Sequence, residues 1–119
     1  ILAVTVLTSI DDAAASALFG QTTGKLTSRL ARRAADAGVE GLVCSPKELG
    51  VVVEVAPGLL RVTPGIRPAG AAANDQRRTA TPAEAMARGA DLLVVGRPIT
   101  AALDPVEAVA RLHEELGAL

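Results

Sequence analysis

The chain has 119 residues, enough for one small domain, and half of them are hydrophobic, which excludes an intrinsically disordered chain. Its formal net charge is −1, so the composition offers no electrostatic case for binding nucleic acid or an anionic membrane. Phe19 is its only aromatic residue, so the core must be aliphatic and bases have no platform to stack on.

Short apolar runs recur along the chain, at residues 2–7, 41–44, 60–63 and 92–95. They lack the alternation of half-exposed strands, which predicts parallel strands covered on both faces. Helical patterns lie between and after them, most clearly at 26–37, 83–88 and about 105–116. The α/β order fits an open doubly wound sheet or half of an eight-stranded β/α barrel. The chain begins inside a strand without a Met, which suggests part of a longer protein.

Several helix starts share one pattern. Segments 45–48, 81–84 and 104–107 read Ser-Pro-Lys-Glu, Thr-Pro-Ala-Glu and Asp-Pro-Val-Glu. Each pattern predicts a capping side chain, a proline at the first helical position, and a glutamate that reaches back to the cap. Ser9 and Asp12 have the same spacing, so Ser9 is predicted to cap a helix beginning near Asp11, with ligand binding by Thr8 or Ser9 as the alternative.

Ligands of parallel α/β folds bind at the carboxyl ends of the strands. Gly96 and Arg97 follow the last apolar run. A glycine lets backbone N–H groups approach an anion closely, and the planar guanidinium of an arginine can donate two hydrogen bonds to it. A short helical turn over 99–102 would point the same way. This pattern predicts a phosphate site; the alternative is a turn glycine beside a surface charge.

The third run leads into a long loop, residues 64–78, rich in Gly, Pro, Ala and Arg. Gly65 permits a tight turn, and Arg67 could point back over the strand ends. Long loops in compact domains are usually functional or disordered, so the segment is predicted to be a lid over a ligand, with a plain solvent loop as the alternative.

Other catalytic and metal-binding patterns are missing from the sequence. Cys44 is expected to be a small core residue, and with His113 as the only histidine a metal site is not expected. A lone cysteine suits a reducing, cytoplasmic location, and no apolar run approaches the roughly 20 residues of a membrane span. The two lysines, Lys25 and Lys47, lie on or near helices, so the chain offers an anion grip without evident acid–base machinery.

The sequence resembles orotidine 5′-phosphate decarboxylases of the bacterial type over essentially its whole length. The resemblance rests on Ala-Val-Thr-Val-Leu-Thr-Ser at 3–9, Gly-Leu-Val-Cys-Ser at 41–45, Val-Thr-Pro-Gly-Ile-Arg-Pro at 62–68, Asp-Gln-Arg-Arg at 75–78 with Thr-Pro at 81–82, and Val-Val-Gly-Arg-Pro-Ile-Thr at 94–100. It implies a (β/α)₈ barrel, usually a homodimer, that uses no metal or organic cofactor. It implies conversion of orotidine 5′-phosphate to UMP and CO₂ in de novo pyrimidine synthesis, with residues 1–119 similar to the C-terminal half, strands five to eight.

The resemblance also implies roles for individual residues. Thr8 looks like the hydroxyl that contacts the pyrimidine. Arg67 and Gln76 look like lid residues that bind the substrate, with Gln76 reaching the phosphate. Gly96 and Arg97 look like the phosphate grip after the last strand.

The family's catalytic Lys and its Asp-x-Lys-x-x-Asp motif are absent, so no catalytic residue is assigned and the isolated chain is expected to be inactive. The expected partners are a missing N-terminal half-barrel or a second copy of the chain, which would cover its edge strands. The alternatives are a non-catalytic, self-associating phosphate-binding half-barrel, or a fragment of a related sugar-phosphate decarboxylase. The Asp-Gln-Arg-Arg segment favours the nucleotide substrate over the sugar phosphate.

Overall fold

The computed structural model describes residues 1–69 and 78–117. The strands are β1 (Leu2–Val4), β2 (Gly41–Val43), β3 (Leu60–Thr63) and β4 (Leu92–Leu93). The helices are α1 (Asp12–Phe19), α2 (Thr23–Asp36), α3 (Leu49–Val55), α4 (Pro82–Ala87), α5 (Arg97–Thr100) and α6 (Pro105–Gly117). Within these ranges, no helix combines the length and the apolar character needed to cross a membrane.

The strands form one parallel sheet in the order β1-β2-β3-β4, which confirms the predicted α/β architecture. The predicted run 60–63 coincides with β3, whereas the runs 2–7 and 92–95 are longer than the strands they contain. The edge strands β1 and β4 each have a neighbour on one side only.

The core lies between the sheet and the helices on one of its faces. Leu42 and Cys44 of this face are 0% and 1% exposed. The cluster that surrounds them comes mainly from α2, α3 and α4 and contains Ala31, Ala34, Leu49, Val52 and Ala85. Small alanines on α2 and α4 let these helices pack closely against the core residues of the sheet, so an almost purely aliphatic sequence packs without aromatic side chains.

The opposite face of the sheet is open, so the expectation of strands covered on both faces is wrong for this chain. Pairing places Val4, Val43, Val62 and Leu92 side by side across the four strands, opposite to the helix-facing positions. The aliphatic side chains left exposed on or beside this row are Leu2, Val4, Leu60, Leu92 and Val94, at 39–61%. The middle of the row is better covered, since Val62 is 7% exposed, so the apolar surface left in water lies mainly along the two edge strands, β1 and β4.

Two of the predicted helix starts are confirmed. The Thr81 hydroxyl accepts the N–H of Glu84 at 3.2 Å, and the Glu84 carboxylate accepts the N–H of Thr81 at 2.9 Å, forming a complete capping box. Oδ1 of Asp104 accepts the N–H groups of Val106 and Glu107 at 2.9 and 3.0 Å, at the start of α6.

The other two helix starts are wrong. Ser9 does not cap α1; Asp11 does, by accepting the N–H of Ala14 at 2.9 Å. The Ser45 hydroxyl does accept a backbone N–H, that of Lys47 at 3.1 Å, but the segment 45–48 forms a turn, and α3 begins only at Leu49 with no side-chain cap of its own. Glu48 does not reach back to Ser45, because Thr23 and Arg78 bind its carboxylate.

Gly41 lies where neighbouring strands pack too closely for a side chain. A Cβ on this residue would lie 2.6 Å from the carbonyl oxygen of Leu60 and 2.9 Å from Cδ2 of Leu2. The carbonyl is backbone and cannot swing aside, so Gly41→Ala should lower the free energy of unfolding by about 1–3 kcal/mol. Gly50→Ala is the control, because its Cβ meets nothing within 4 Å and alanine favours helix α3. Urea unfolding of both variants measures the difference, and equal stabilities would contradict the packing argument.

Candidate functional site

The carboxyl ends of the four parallel strands lie at one edge of the sheet, and the predicted site residues follow them. Thr8 comes after β1 and is 7% exposed. Its segment forms a turn, since the N–H of Ile10 donates to the carbonyl of Leu7 at 3.0 Å. The Thr8 backbone is therefore held in a turn just beyond β1, and ligand binding by Thr8 stays a prediction.

The loop after β3 is closed at its base by backbone hydrogen bonds. The N–H of Arg67 donates to Ala80 at 2.9 Å, and the N–H of Ala80 donates to Gly65 at 3.3 Å. Gly65 has a φ of 77°, the left-handed region that favours glycine, as the predicted tight turn requires. The structure thus brings Ala80, on the return side of the loop, back to the end of β3.

Arg67 is more buried than a residue on the surface of a lid would be. It is 8% exposed, and its Nη1 donates to the carbonyl of Ile66 at 2.7 Å. Gln76, the other residue predicted for the loop, lies outside the described residues. Substrate contacts by both residues stay predictions.

Gly96 and Arg97 lie at the carboxyl end of the last strand, where the sequence places them. Gly96 directly precedes α5, and its carbonyl accepts the N–H groups of Ile99 and Thr100 at 2.9 and 3.0 Å. The predicted short helical turn is present, although it begins at Arg97 rather than Ile99. Arg97 is exposed at the start of this turn, so its charge is accessible to an anion from solvent.

Sequence reasoning missed a buried charged cluster behind this edge. Arg78 is 4% exposed, and its Nη2 donates to the carbonyls of Val6 at 3.1 Å and Leu7 at 2.9 Å. Its Nη1 forms an ion pair with Oε2 of Glu48, which is 5% exposed. The sequence had placed Arg78 at the polar end of a lid and Glu48 in a capping box.

The cluster continues from Glu48 to the start of α2. The Thr23 hydroxyl lies 2.8 Å from Oε1 of Glu48 and 2.8 Å from Oδ1 of Asp12. Because it carries a single proton, it donates to one carboxylate at a time. The Thr23 N–H also donates to Asp12 at 2.8 Å, and this bond, helped by the Thr23 hydroxyl, lowers the pKa of Asp12. Asp12 therefore stays ionised, while the ion-pair partner of Arg78 is Glu48.

No local pattern could have revealed this cluster. Glu48 and Thr23 are 25 residues apart, and Arg78 is 72 residues from Val6. The one general rule that applies is that buried charges are paired, and it can be used only when the fold shows which residues are buried.

Cys44 is a buried core thiol, as expected. Burial raises its pKa to about 12, and the nearby charge of Glu48 acts in the same direction. Among the residues that the structure describes, no group of three or more His, Cys, Asp or Glu side chains could hold a metal ion.

Removing the Glu48 carboxylate should be severely destabilising, because it leaves the Arg78 guanidinium buried without its counter-ion. We expect Glu48→Ala to lower the free energy of unfolding by about 3–5 kcal/mol. Asp91→Ala is the control: its partner Arg61, 2.8 Å away, is 17% exposed in its side chain and can rehydrate, so the loss should be about 1 kcal/mol. Chemical denaturation measures both, and equal losses would show that burial does not amplify the inner pair.

The Cys44 thiol should be unreactive in the folded chain. A raised thiol pKa means that the thiolate is disfavoured by folding, so the native state loses stability as pH rises above about 8.5 and through the folded value. At pH 8, labelling by a disulfide reagent should be more than about 100-fold slower in buffer than in urea. Equal labelling rates would mean that Cys44 is accessible.

The comparisons with known proteins agree with the motifs quoted above. The family model described as Orotidine 5′-phosphate decarboxylase / HUMPS family matches residues 1–112. A relative from Thermobifida fusca named orotidine 5′-phosphate decarboxylase is 54% identical over 98% of this chain and 51% of its own length. One of the same name from Paramagnetospirillum magneticum is 52% identical, also over 98% of this chain and 51% of its own length. The chain thus spans about half the length of the curated relatives it matches.

The chain also covers about half the length of the solved structures that it resembles. The crystal structure of orotidine 5′-phosphate decarboxylase from Lactobacillus acidophilus has a TM-score of 0.73 and 38% identity, and the match covers 96% of this chain and 47% of that one. The enzyme of that name from Pyrococcus horikoshii has a TM-score of 0.62 and 26% identity, over 82% of this chain and 44% of its own. The sheet is therefore half of a (β/α)₈ barrel, and the chain belongs to the orotidine 5′-phosphate decarboxylase / HUMPS family.

Proposed function

We propose that residues 1–119 form the C-terminal half-barrel of an orotidine 5′-phosphate decarboxylase and supply its phosphate and pyrimidine contacts. The observation that carries this proposal is the 54% identity to a relative of that name over almost all of this chain but only half of the relative. The open sheet face agrees with it, because the apolar interior of a barrel is filled by side chains of all its strands and is left exposed when half of them are missing.

The proposed roles follow the positions of the strand ends. Gly96 and Arg97 bind the phosphate, which the exposure of Arg97 at the start of α5 supports. Thr8 contacts the pyrimidine from the end of β1, and Arg67 and Gln76 bind the substrate from the loop after β3. No cofactor is required in this proposal, and a cytoplasmic location stays a prediction.

The chemistry breaks the bond between C6 of the pyrimidine and its carboxylate, releases CO₂, and places a proton on C6. No residue of this chain is assigned to that proton transfer, so the catalytic Lys and carboxylates come from the other half-barrel. The contribution of this half is remote binding energy: contacts to the phosphate hold the substrate and favour the reactive closed state. We therefore expect the isolated chain to be inactive.

The proposed partner is an N-terminal half-barrel that covers the open face and pairs with both edge strands. A second copy of the chain is the competing partner, favoured by one observation: β1 and β4 lie at the two edges, so β4 of one copy could pair with β1 of another. Light scattering separates the two, because self-association gives a dimer of this chain alone. A homodimer of complete barrels is a further expectation from the family.

Reconstitution tests the proposed function. The chain is co-expressed with the N-terminal half of the Thermobifida fusca relative, and loss of orotidine 5′-phosphate is followed. We expect activity from the pair and none from either half. Arg97→Ala should raise KM about 10- to 100-fold, because it removes a charge-assisted hydrogen bond to the phosphate and a loss of that free energy weakens binding by this factor.

Arg111→Ala is the matched control for Arg97→Ala. Arg111 is an exposed arginine on α6 whose Nη1 lies 3.7 Å from Oε1 of Glu107. Its removal should leave KM unchanged. A folded one-to-one complex without activity would contradict the proposal, as would equal effects of the two arginine substitutions.

A further inference from the structure

We infer that Arg78 is a positioning residue: together with Glu48 it fixes the turn that carries Thr8. The inference rests on the proposed function for the role of Thr8, but the contacts that carry it belong to the described structure. It assigns the guanidinium no contact with the substrate.

Two donors hold the turn after β1 through the carbonyl of Leu7. The carbonyl of Leu7 accepts two hydrogen bonds, from the N–H of Ile10 at 3.0 Å and from Nη2 of Arg78 at 2.9 Å. Nη2 also donates to the preceding carbonyl, that of Val6, at 3.1 Å. One nitrogen therefore holds two consecutive carbonyls at the point where the chain enters the turn containing Thr8.

Arg78 is itself held in place by Glu48. Glu48 is joined to the end of β2, since its N–H donates to the carbonyl of Ser45 at 3.1 Å. Its carboxylate pairs with Arg78 and contacts the Thr23 hydroxyl at the start of α2. The guanidinium thus links the end of β1 to the end of β2 through its two terminal nitrogens.

The segment that carries Arg78 is also bonded to the chain just after β3. Two residues beyond Arg78, Ala80 exchanges backbone hydrogen bonds with Gly65 and Arg67 just after that strand. Arg78 is therefore attached on three sides, to the ends of β1, β2 and β3. The strand ends that carry Thr8 and Arg67 cannot move independently while this cluster is intact.

This set of contacts requires an arginine at position 78. A guanidinium separates its donors, so Nη1 pairs with the carboxylate while Nη2 holds the carbonyls. A lysine would preserve the charge beside Glu48, but its single nitrogen lies at the end of a flexible stem and does not reproduce the fork. Arg78→Lys should therefore keep the ion pair and release the turn.

The test uses a full-length chimera in which this chain replaces the matching half of the Thermobifida fusca relative. Arg78→Lys should lower kcat/KM for orotidine 5′-phosphate about tenfold or more. Arg61→Lys is the matched control: it also breaks an arginine fork, the one that joins β3 to Asp91 through bonds of 2.8 and 3.0 Å. Because that pair lies at the amino ends of the strands, kcat/KM should be unchanged while the unfolding midpoint falls.

A double-mutant cycle distinguishes positioning from general destabilisation. If Arg78 acts through Thr8, then Thr8→Ala should lower kcat/KM much less in the Arg78→Lys background than in the Arg61→Lys background. Purely additive losses for Thr8 and Arg78, or equal effects of the two lysine substitutions, would overturn the inference.

Hydrogen exchange gives a readout that does not depend on activity. The amide of Ile10 donates to the carbonyl that Arg78 holds, so its exchange in the 119-residue chain should accelerate about tenfold or more in Arg78→Lys and not in Arg61→Lys. An inactive wild-type chimera with this exchange pattern would refute the proposed function and leave the structural role of Arg78 supported. Unchanged exchange at Ile10 would refute that role whatever the activity.

Discussion

The ion pair between Arg78 and Glu48 is the interaction on which the arrangement of the strand ends depends. Both side chains are almost fully buried, so each loses its hydration and requires the other. Such a pair is weak evidence for stability, since well-packed apolar side chains of similar volume often serve as well. What apolar side chains cannot do is hold the carbonyls of Val6 and Leu7 by directed hydrogen bonds. The geometry of the β1 turn therefore explains the pair better than stability does.

The open face of the sheet imposes the second constraint. Helices cover the side of Leu42 and Cys44, while Val4, Leu92 and Val94 on the other side are about half exposed. Apolar area of this extent drives association, and two unpaired strand edges direct that association toward further strands. The aliphatic interior of a complete barrel satisfies both requirements together, consistent with a chain that spans half the length of its relatives.

The sequence predicted the architecture well because periodicity and helix-start patterns are local. The four apolar runs located each strand of the described residues, and their ends placed Gly96, Arg97 and Thr8 at one edge of the sheet. Strand lengths were overestimated at both edges, where an apolar run continues beyond the last paired residue. Buried contacts between distant residues were out of reach, as the cluster around Arg78 shows.

Segments 45–48 and 81–84 show why a local pattern succeeds in one place and fails in another. Both read as cap, proline, any residue, glutamate, yet only Glu84 turns back to its own cap. Glu84 is exposed, so the nearest available donor decides its conformation. Glu48 faces a buried guanidinium, and leaving that cation unpaired would cost far more than a lost cap. Tertiary electrostatics therefore overrides the local preference where the side chain is buried.

The two arginine forks lie at opposite ends of the sheet. Arg61 binds Asp91 at the amino ends of β3 and β4, where loops only connect helices to strands. Arg78 binds at the carboxyl ends, where ligands of this fold bind. A change in the first fork alters how firmly two strands are joined. The second fork also holds the carbonyls of Val6 and Leu7 beside Thr8, so in the proposed function the same chemistry acquires a second consequence from its position at the carboxyl ends of the strands.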